Sequence, residues 1–316
     1  MSAPILFIVL PCYNEEAVLP SSIERLTQLY GSLISNRTIS DLSRLLFVND
    51  GSADNTWSII EEASASNPYV CGVKLAKNVG HQNAILAGME SAKEYADVVI
   101  TMDADLQDDI DKIPEMLAKF ADGADIVYGI KNERKADSFF KKTTAELFYK
   151  LMKAMGVHTV YNHADFRLMS RRAVEALSRY RERNLFLRGI IPQLGYKTDS
   201  VLEDLKEREA GVSKYTLSKM MNLAVDGITS FTITPVRLIF SLGLVFVLLA
   251  LIMLIYVICV VIQGKTVAGW ASLMLSMWFI GGCILIGLGI VGEYIGKIYM
   301  EVKDRPRYNI EKTLIR

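Results

Sequence analysis

The sequence predicts an α/β domain, a mostly parallel sheet with helices on its faces, followed by a C-terminal two-helix transmembrane hairpin. Three observations carry that expectation. Residues 1 to about 213 alternate short apolar runs with helix-like stretches, the rhythm of strand–helix–strand units. Polar clusters recur at the ends of the apolar runs, where a parallel sheet places its ligands. Two late runs, Leu238 to Ile262 and Thr266 to Gly292, carry no formal charge over 25 and 27 residues.

Taken in order, Ile5 to Leu10 is a short apolar strand, Pro11 to Asn14 a turn, and Glu15 to about Ser32 a helix. Leu45 to Val48 is a second strand ending in Asn49-Asp50-Gly51-Ser52, and Thr56 to Ala65 is its helix. Val70 to Leu75, Val98 to Met102 and Ile126 to Tyr128 are further strands, with helices near Gln82 to Tyr95 and Ile113 to Phe120. Helical crossovers between parallel strands are right-handed, which fixes which face each helix covers. The first run has six apolar residues and no basic flank, so it is not read as a signal peptide.

Each uncharged run is about 37 to 40 Å long as a helix, against roughly 30 Å of hydrocarbon. The expected spans are about 237–262 and 267–292 within a hairpin of 235–296, joined by a turn at Gln263, Gly264 and Lys265. Buried soluble helices are the alternative. Lys214, Lys219 and Arg237 precede the hairpin and Lys297, Lys303, Arg305 and Arg307 follow it, so residues 1–213 and the tail 297–316 are expected on the cytoplasmic side. Residues 214–234 read as an amphipathic juxtamembrane helix, with packing on the soluble domain as the competing reading. Gly281, Gly282, Gly287, Gly289, Gly292 and Gly296 allow close approach of another helix and suggest self-association.

Composition excludes several classes. Lys and Arg number 35 against 35 Asp and Glu, and 51% of residues are hydrophobic. The chain is too apolar for disorder and too neutral for a duplex-binding protein, so no nucleic acid is expected. Cys12, Cys71, Cys259 and Cys283 are dispersed, with neither a disulfide framework nor a zinc pattern.

The strongest chemical signal is Asp103-Ala104-Asp105-Leu106-Gln107-Asp108 after the Val98 strand. Two carboxylates at i and i+2 on a turn, with an amide two residues on, suit a hard divalent cation such as Mg²⁺ or Mn²⁺ that shares its open positions with phosphate oxygens. Alone, the motif is equally a turn former. Three more clusters change the reading: Pro11-Cys12-Tyr13-Asn14-Glu15-Glu16, Asn49-Asp50-Gly51-Ser52 and Asn78-Val79-Gly80-His81-Gln82-Asn83-Ala84.

In this order the four motifs resemble the GT-A fold glycosyltransferases of family 2, over about 210 residues. Ala164-Asp165-Phe166-Arg167-Leu168-Met169, then Glu207-Arg208-Glu209-Ala210-Gly211-Val212-Ser213-Lys214-Tyr215 and two spans, narrow the resemblance to the polyprenyl-phosphate branch. That branch contains dolichol-phosphate mannose synthase and the bacterial undecaprenyl-phosphate glucosyltransferases. The hairpin is similar to that of the bacterial members, in the cytoplasmic (inner) membrane.

The resemblance implies roles residue by residue. Pro11, Tyr13, Asn14, Glu15 and Asp50 hold the nucleotide, with Asn78 and Gly80 also on the donor side. Asp103, Asp105 and Gln107 coordinate the metal on the diphosphate. Asp165 and Arg167 lie near the sugar and acceptor and join Asp105 as the catalytic set. Lys131, Arg134, Arg208, Ser213 and Lys214 face phosphate. Relatives often carry Arg where this chain has Lys131, which leaves open whether Lys131 or Arg134 meets phosphate.

The implied reaction is inverting transfer of one sugar, glucose or N-acetylglucosamine, from a UDP-sugar rather than a GDP-sugar to a polyprenyl phosphate. A flippase and a later glycosyltransferase would use the product. A phosphate monoester is already anionic near neutral pH, so Asp165 is expected to position rather than deprotonate. A basic and aromatic stretch around Phe139 and Phe140 could order over an anionic lipid head, and the alternative is a solvated charge run. His81, His158 and His163 lack ligand spacing and read as packing or hydrogen-bonding residues. A processive synthase lacks support because no Arg-Trp dipeptide occurs. A non-catalytic scaffold and a small transporter are the remaining alternatives, the latter disfavoured by the absence of an ionisable residue from Leu238 to Ile262.

Overall fold

The computed structural model describes residues 3–131, 163–183, 186–203, 234–263 and 269–315. The chain divides into a sheet unit, which takes in the C-terminal residues from Arg305, and a helical unit.

In the sheet unit the strands are β1 (Leu6–Cys12), β2 (Arg44–Asn49), β3 (Val70–Leu75), β4 (Val98–Thr101), β5 (Ile126–Lys131), β6 (His163–Ser170), β7 (Thr198–Glu203) and β8 (Ile310–Thr313). They form one eight-stranded sheet in the order β7-β5-β6-β4-β1-β2-β3-β8. β1 pairs in parallel with β2 and β4, and β2 with β3, as the crossover rhythm requires. Every residue of β1 is buried, which is why it reads as a continuous apolar run and not an alternating one.

The helices are α1 (Leu19–Ser35), α2 (Thr56–Ser66), α3 (His81–Ala92), α4 (Ile113–Ala121), α5 (Arg171–Ser178) and α6 (Leu187–Gln193). α1 starts with a proline in its first turn and buries Leu19, Ser22, Leu26, Tyr30 and Leu33, an i, i+3, i+4 stripe. The Tyr30 hydroxyl donates to the Arg44 carbonyl at 2.9 Å and ties the helix to β2. α3 lies close on β1 and β2 because Gly88 faces them: a Cβ there would fall on the Val9 side chain and 2.8 Å from Val48 Cγ2. α5 begins where the Ser170 hydroxyl caps the Ala173 amide.

Three strands break the parallel pattern. β6 is antiparallel to β4 and to β5, and β8 is antiparallel to β3. β8 is the larger surprise, because it follows the last apolar helix and the tail was expected only as a cytoplasmic extension. All four of its residues are exposed. It is held by Lys74–Glu311 at 2.8 Å, by a Lys312–Glu61 pair, and by the Leu314 amide on the Gly72 carbonyl at 2.7 Å. Nearby, the Tyr308 hydroxyl donates to Glu90 on α3, and Arg307 donates to the Tyr180 carbonyl.

The helical unit contains α7 (Thr234–Ile262) and α8 (Trp270–Val302). Both are long and apolar enough to cross a membrane, over Thr234–Met253 and Phe279–Val302. Their side chains face outward: Leu248 is 60% exposed, Ile255 63% and Leu285 71%. A soluble core helix would bury such residues. Phe246 and Phe279 meet edge to face at 5.7 Å, and a Cβ on Gly287 would lie 3.3 Å from Ile239. Gly287 thus serves the hairpin itself, while Gly281, Gly282, Gly289, Gly292 and Gly296 have open space around them. α8 runs past the expected end at 292 to Val302. The expected amphipathic helix at 214–234 lies outside the described residues apart from Thr234.

Candidate active site

The carboxyl ends of β1, β2 and β4 and the turn after β3 converge on one edge of the sheet. The first two turns are sewn together. Asn14, at φ 54°, accepts from the Ala53 amide at 2.9 Å, and its own amide donates to Ser52 Oγ at 3.0 Å. The Glu15 amide donates to Thr56 Oγ1 at 2.9 Å. Pro11 is buried at the end of β1, whereas Tyr13 is 45% exposed at the rim.

Asp50 is only 3% exposed and accepts from the Val79 amide at 2.7 Å and the Gly80 amide at 3.0 Å. Burial pushes its carboxyl up and the two amides oppose that rise. The carboxylate shapes the loop that opens α3, so its contribution to a nucleotide pocket is support for that loop. Gly51 permits this closeness: at φ 63°, its missing Cβ would sit 2.5 Å from the Asn78 nitrogen. Beside them the Asn49 side-chain nitrogen is buried with no partner.

After β4 the chain turns through Leu106 at φ 50°, a strained conformation for a branched residue that exposes the flanking polar groups. Gln107 Nε2 donates to Asp105 Oδ2 at 2.8 Å, and the Asp103 amide donates to buried Asp108 at 3.3 Å. Among the described residues no group of three or more His, Cys, Asp or Glu side chains converges as a metal cage. Asp103 and Asp105 offer hard oxygens, the chemistry that suits a magnesium or manganese ion completed by substrate oxygens and water.

Antiparallel β6 explains how a distant motif reaches this turn. Arg167 lies opposite Thr101 at the end of β4, which brings Asp165 level with Asp103. His81, the first residue of α3, stands between them, with Nε2 at 3.5 Å from Asp103 Oδ1 and 3.4 Å from Asp165 Oδ2. Arg167 Nη2 donates to Asp165 Oδ1 at 2.8 Å and Arg188 Nη2 to Oδ2 at 3.1 Å. Burial opposes ionisation of Asp165, but the His81 hydrogen bond and the Arg188 and Arg167 charges outweigh it and hold the carboxyl well below its usual range. Burial likewise works against the His81 imidazolium, and the Asp165 hydrogen bond with the Asp103 charge lifts its pKa nonetheless.

Two residues of this cluster are not among the sequence-derived candidates, His81 and Arg188. The signal for Arg188 is a lone charge in the apolar run Leu185 to Ile191. Arg167, expected beside the sugar, has no exposed surface and lies behind Asp165. Asn78 and Gly80 are exposed on the loop before α3. Arg134, Arg208, Ser213, Lys214 and the Lys131 side chain lie outside the described residues.

Residues 7–178 match the sequence profile described as glycosyl transferase family 2. The chain belongs to that family. This family 2 transferase is 51% identical to an uncharacterized glycosyltransferase of Bacillus subtilis, over 99% of this chain and 93% of the relative. It is 39% identical to the bactoprenol glucosyl transferase of Shigella phage SfII, over 97% of each chain. Among solved structures, glucosyl-3-phosphoglycerate synthase from Mycobacterium tuberculosis with Mn²⁺, UDP and phosphoglyceric acid aligns with 72% of the transferase and 76% of that chain, at 16% identity and a TM-score of 0.47.

Proposed function

We propose that this transferase moves glucose from UDP-glucose to a polyprenyl phosphate, at the cytoplasmic face of a bacterial inner membrane. The observation that carries the reading is the 39% identity to a bactoprenol glucosyl transferase over 97% of both chains, a span that includes both apolar helices. N-acetylglucosamine is the second sugar in question. The lipid-linked product would serve a flippase and a later transferase outside the membrane.

The chemistry assigned to the site follows from its charges. The donor breaks between the anomeric carbon and the diphosphate, and an oxygen of the lipid phosphate forms the new bond from the opposite face, so an α-linked donor yields a β-linked product. A divalent ion at Asp103 and Asp105 supplies neutralisation of the leaving diphosphate. Asp165, held ionised by its cationic neighbours, is suited to orienting a sugar hydroxyl and poorly suited to taking a proton. Arg167 fixes that carboxylate from below. Tyr13, Asn14 and Glu15 form the donor rim, and Asp50 holds the Asn78 to Gly80 loop against it.

The test is a donor panel on the detergent-solubilised full chain with undecaprenyl phosphate. UDP-glucose as the preferred donor supports the reading. Preference for a GDP-sugar, or transfer only to a non-lipid acceptor, overturns it.

A further inference from the structure

We propose that Arg188 is an anion-binding residue of the transfer site that meets a phosphoryl oxygen of one of the two substrates beside Asp165. The inference rests on the reading above, since it takes the cluster to be where donor and acceptor meet. Asp165 is the only carboxylate that Arg167 and Arg188 are seen to share, so its immediate surroundings hold one more positive than negative charge.

The two arginines are not equivalent. Arg167 has no exposed side-chain surface, and a buried guanidinium of that kind needs Asp165 as its counter-charge. Arg188 is 32% exposed, on the open side of the same carboxylate. Asp165 is therefore already matched from beneath, and the charge of Arg188 is the one presented to an incoming substrate. A guanidinium placed this way has the planar fork that suits phosphate oxygens.

Its position is also prepared in advance. The preceding residue, Leu187, donates its amide to Gln82 Oε1 at 2.9 Å, one residue beyond His81. The turns that open α3 and α6 are thereby joined at the cluster. Nε and Nη2 of Arg188 both lie on Asp165, at 3.5 and 3.1 Å, which fixes the plane of the guanidinium before any substrate arrives. Preorganisation of this kind spares the ordering cost that a free surface arginine incurs on binding.

The phosphoryl oxygen has two sources, the donor diphosphate and the lipid phosphate monoester. Direct binding to the detergent-solubilised full chain separates them, with UDP and undecaprenyl phosphate as probes, on the wild type, Arg188→Gln and Arg188→Lys. The expected result is at least a tenfold weaker Kd in Arg188→Gln for one probe and less than a twofold change for the other, with Arg188→Lys in between. Weakened UDP binding assigns the diphosphate, and weakened undecaprenyl phosphate binding assigns the acceptor. Unchanged Kd values for both probes overturn the proposal, as does equal weakening of both, which marks a general distortion. If Arg188→Gln does not fold, Arg188→Lys decides, because it keeps the charge over Asp165 and loses the fork: a weaker Kd for one probe supports the proposal and two unchanged values overturn it. A wild type that binds neither probe sinks the underlying reading instead and is recognised before any variant is compared.

Discussion

Arg167 and Asp165 form a 2.8 Å ion pair in which the guanidinium has no exposed surface at all. The pair joins β6 to the site turn after β4, because Arg167 Nε also donates to Thr101 Oγ1 at 3.3 Å and the Thr101 hydroxyl donates to the Asp165 carbonyl. Removing one partner of a buried pair leaves the other uncompensated, at a cost of about 3–5 kcal/mol. Arg167→Met is expected to lose stability on that scale in denaturant unfolding, and Asp165→Asn to lose part of it. A loss below about 1 kcal/mol for Arg167→Met, the level of an exposed pair, contradicts the pairing account.

A second carboxylate predicts a pH signature. Asp125 accepts from Arg172 through both oxygens and from the Ser170 hydroxyl, and the Arg172 hydrogen bond leads in holding its carboxyl below the usual value. A depressed acid stabilises the fold above the unfolded pKa of about 4 and loses that contribution as pH falls through the folded value. Thermal melts of wild type and Asp125→Asn are expected to differ at pH 7 and to converge toward pH 3. A gap that persists undiminished in acid assigns the loss to something other than ionisation.

Gly88 sets the distance between α3 and the sheet. Gly88→Ala must displace Val9 and Val48 at a cost of about 1–3 kcal/mol, the range for overfilled cores. Because α3 carries His81 at its first turn, kcat is expected to fall along with the melting temperature. An unchanged melting temperature shows that the sheet yields without strain.

The C-terminal strand makes a further prediction. A chain ending at Asp304 loses β8 and exposes β3 as an unpaired edge. It is expected to melt earlier and aggregate more readily than the full chain. Exposed ion pairs such as Lys74–Glu311 contribute little individually, so charge reversal at Glu311 alone is expected to change melting far less than truncation. Equal effects would assign the strand's role to that ion pair.

Much of the sheet was legible because parallel strands buried on both faces are continuous apolar runs. Val70 to Leu75 is β3 to the residue, and the Leu45 run lies within β2. The turn motifs were legible because they stand at strand ends, and Asp103 and Asp165 do meet in one cluster through His81. What escaped was antiparallel and non-local. β8 is four exposed residues with no apolar pattern, defined only by its partner strand. β6 depends on a return from far along the chain, and without it neither the burial of Arg167 nor the approach of Arg188 to Asp165 can be derived from spacing. Asp50 was assigned to the nucleotide, and local sequence does not reveal that both its oxygens are engaged by the next loop's amides.

The most direct test of the central claim uses radiolabelled UDP-glucose, undecaprenyl phosphate and the full chain in detergent with Mg²⁺ or Mn²⁺, counting label in the organic phase. The account predicts lipid-soluble label that requires undecaprenyl phosphate, disappears with chelator, and falls at least a hundredfold in Asp105→Ala, about 2.7 kcal/mol of transition-state stabilisation. Undiminished transfer by Asp105→Ala or in chelator contradicts the metal site, and label that never enters the organic phase from any donor contradicts transfer to the lipid.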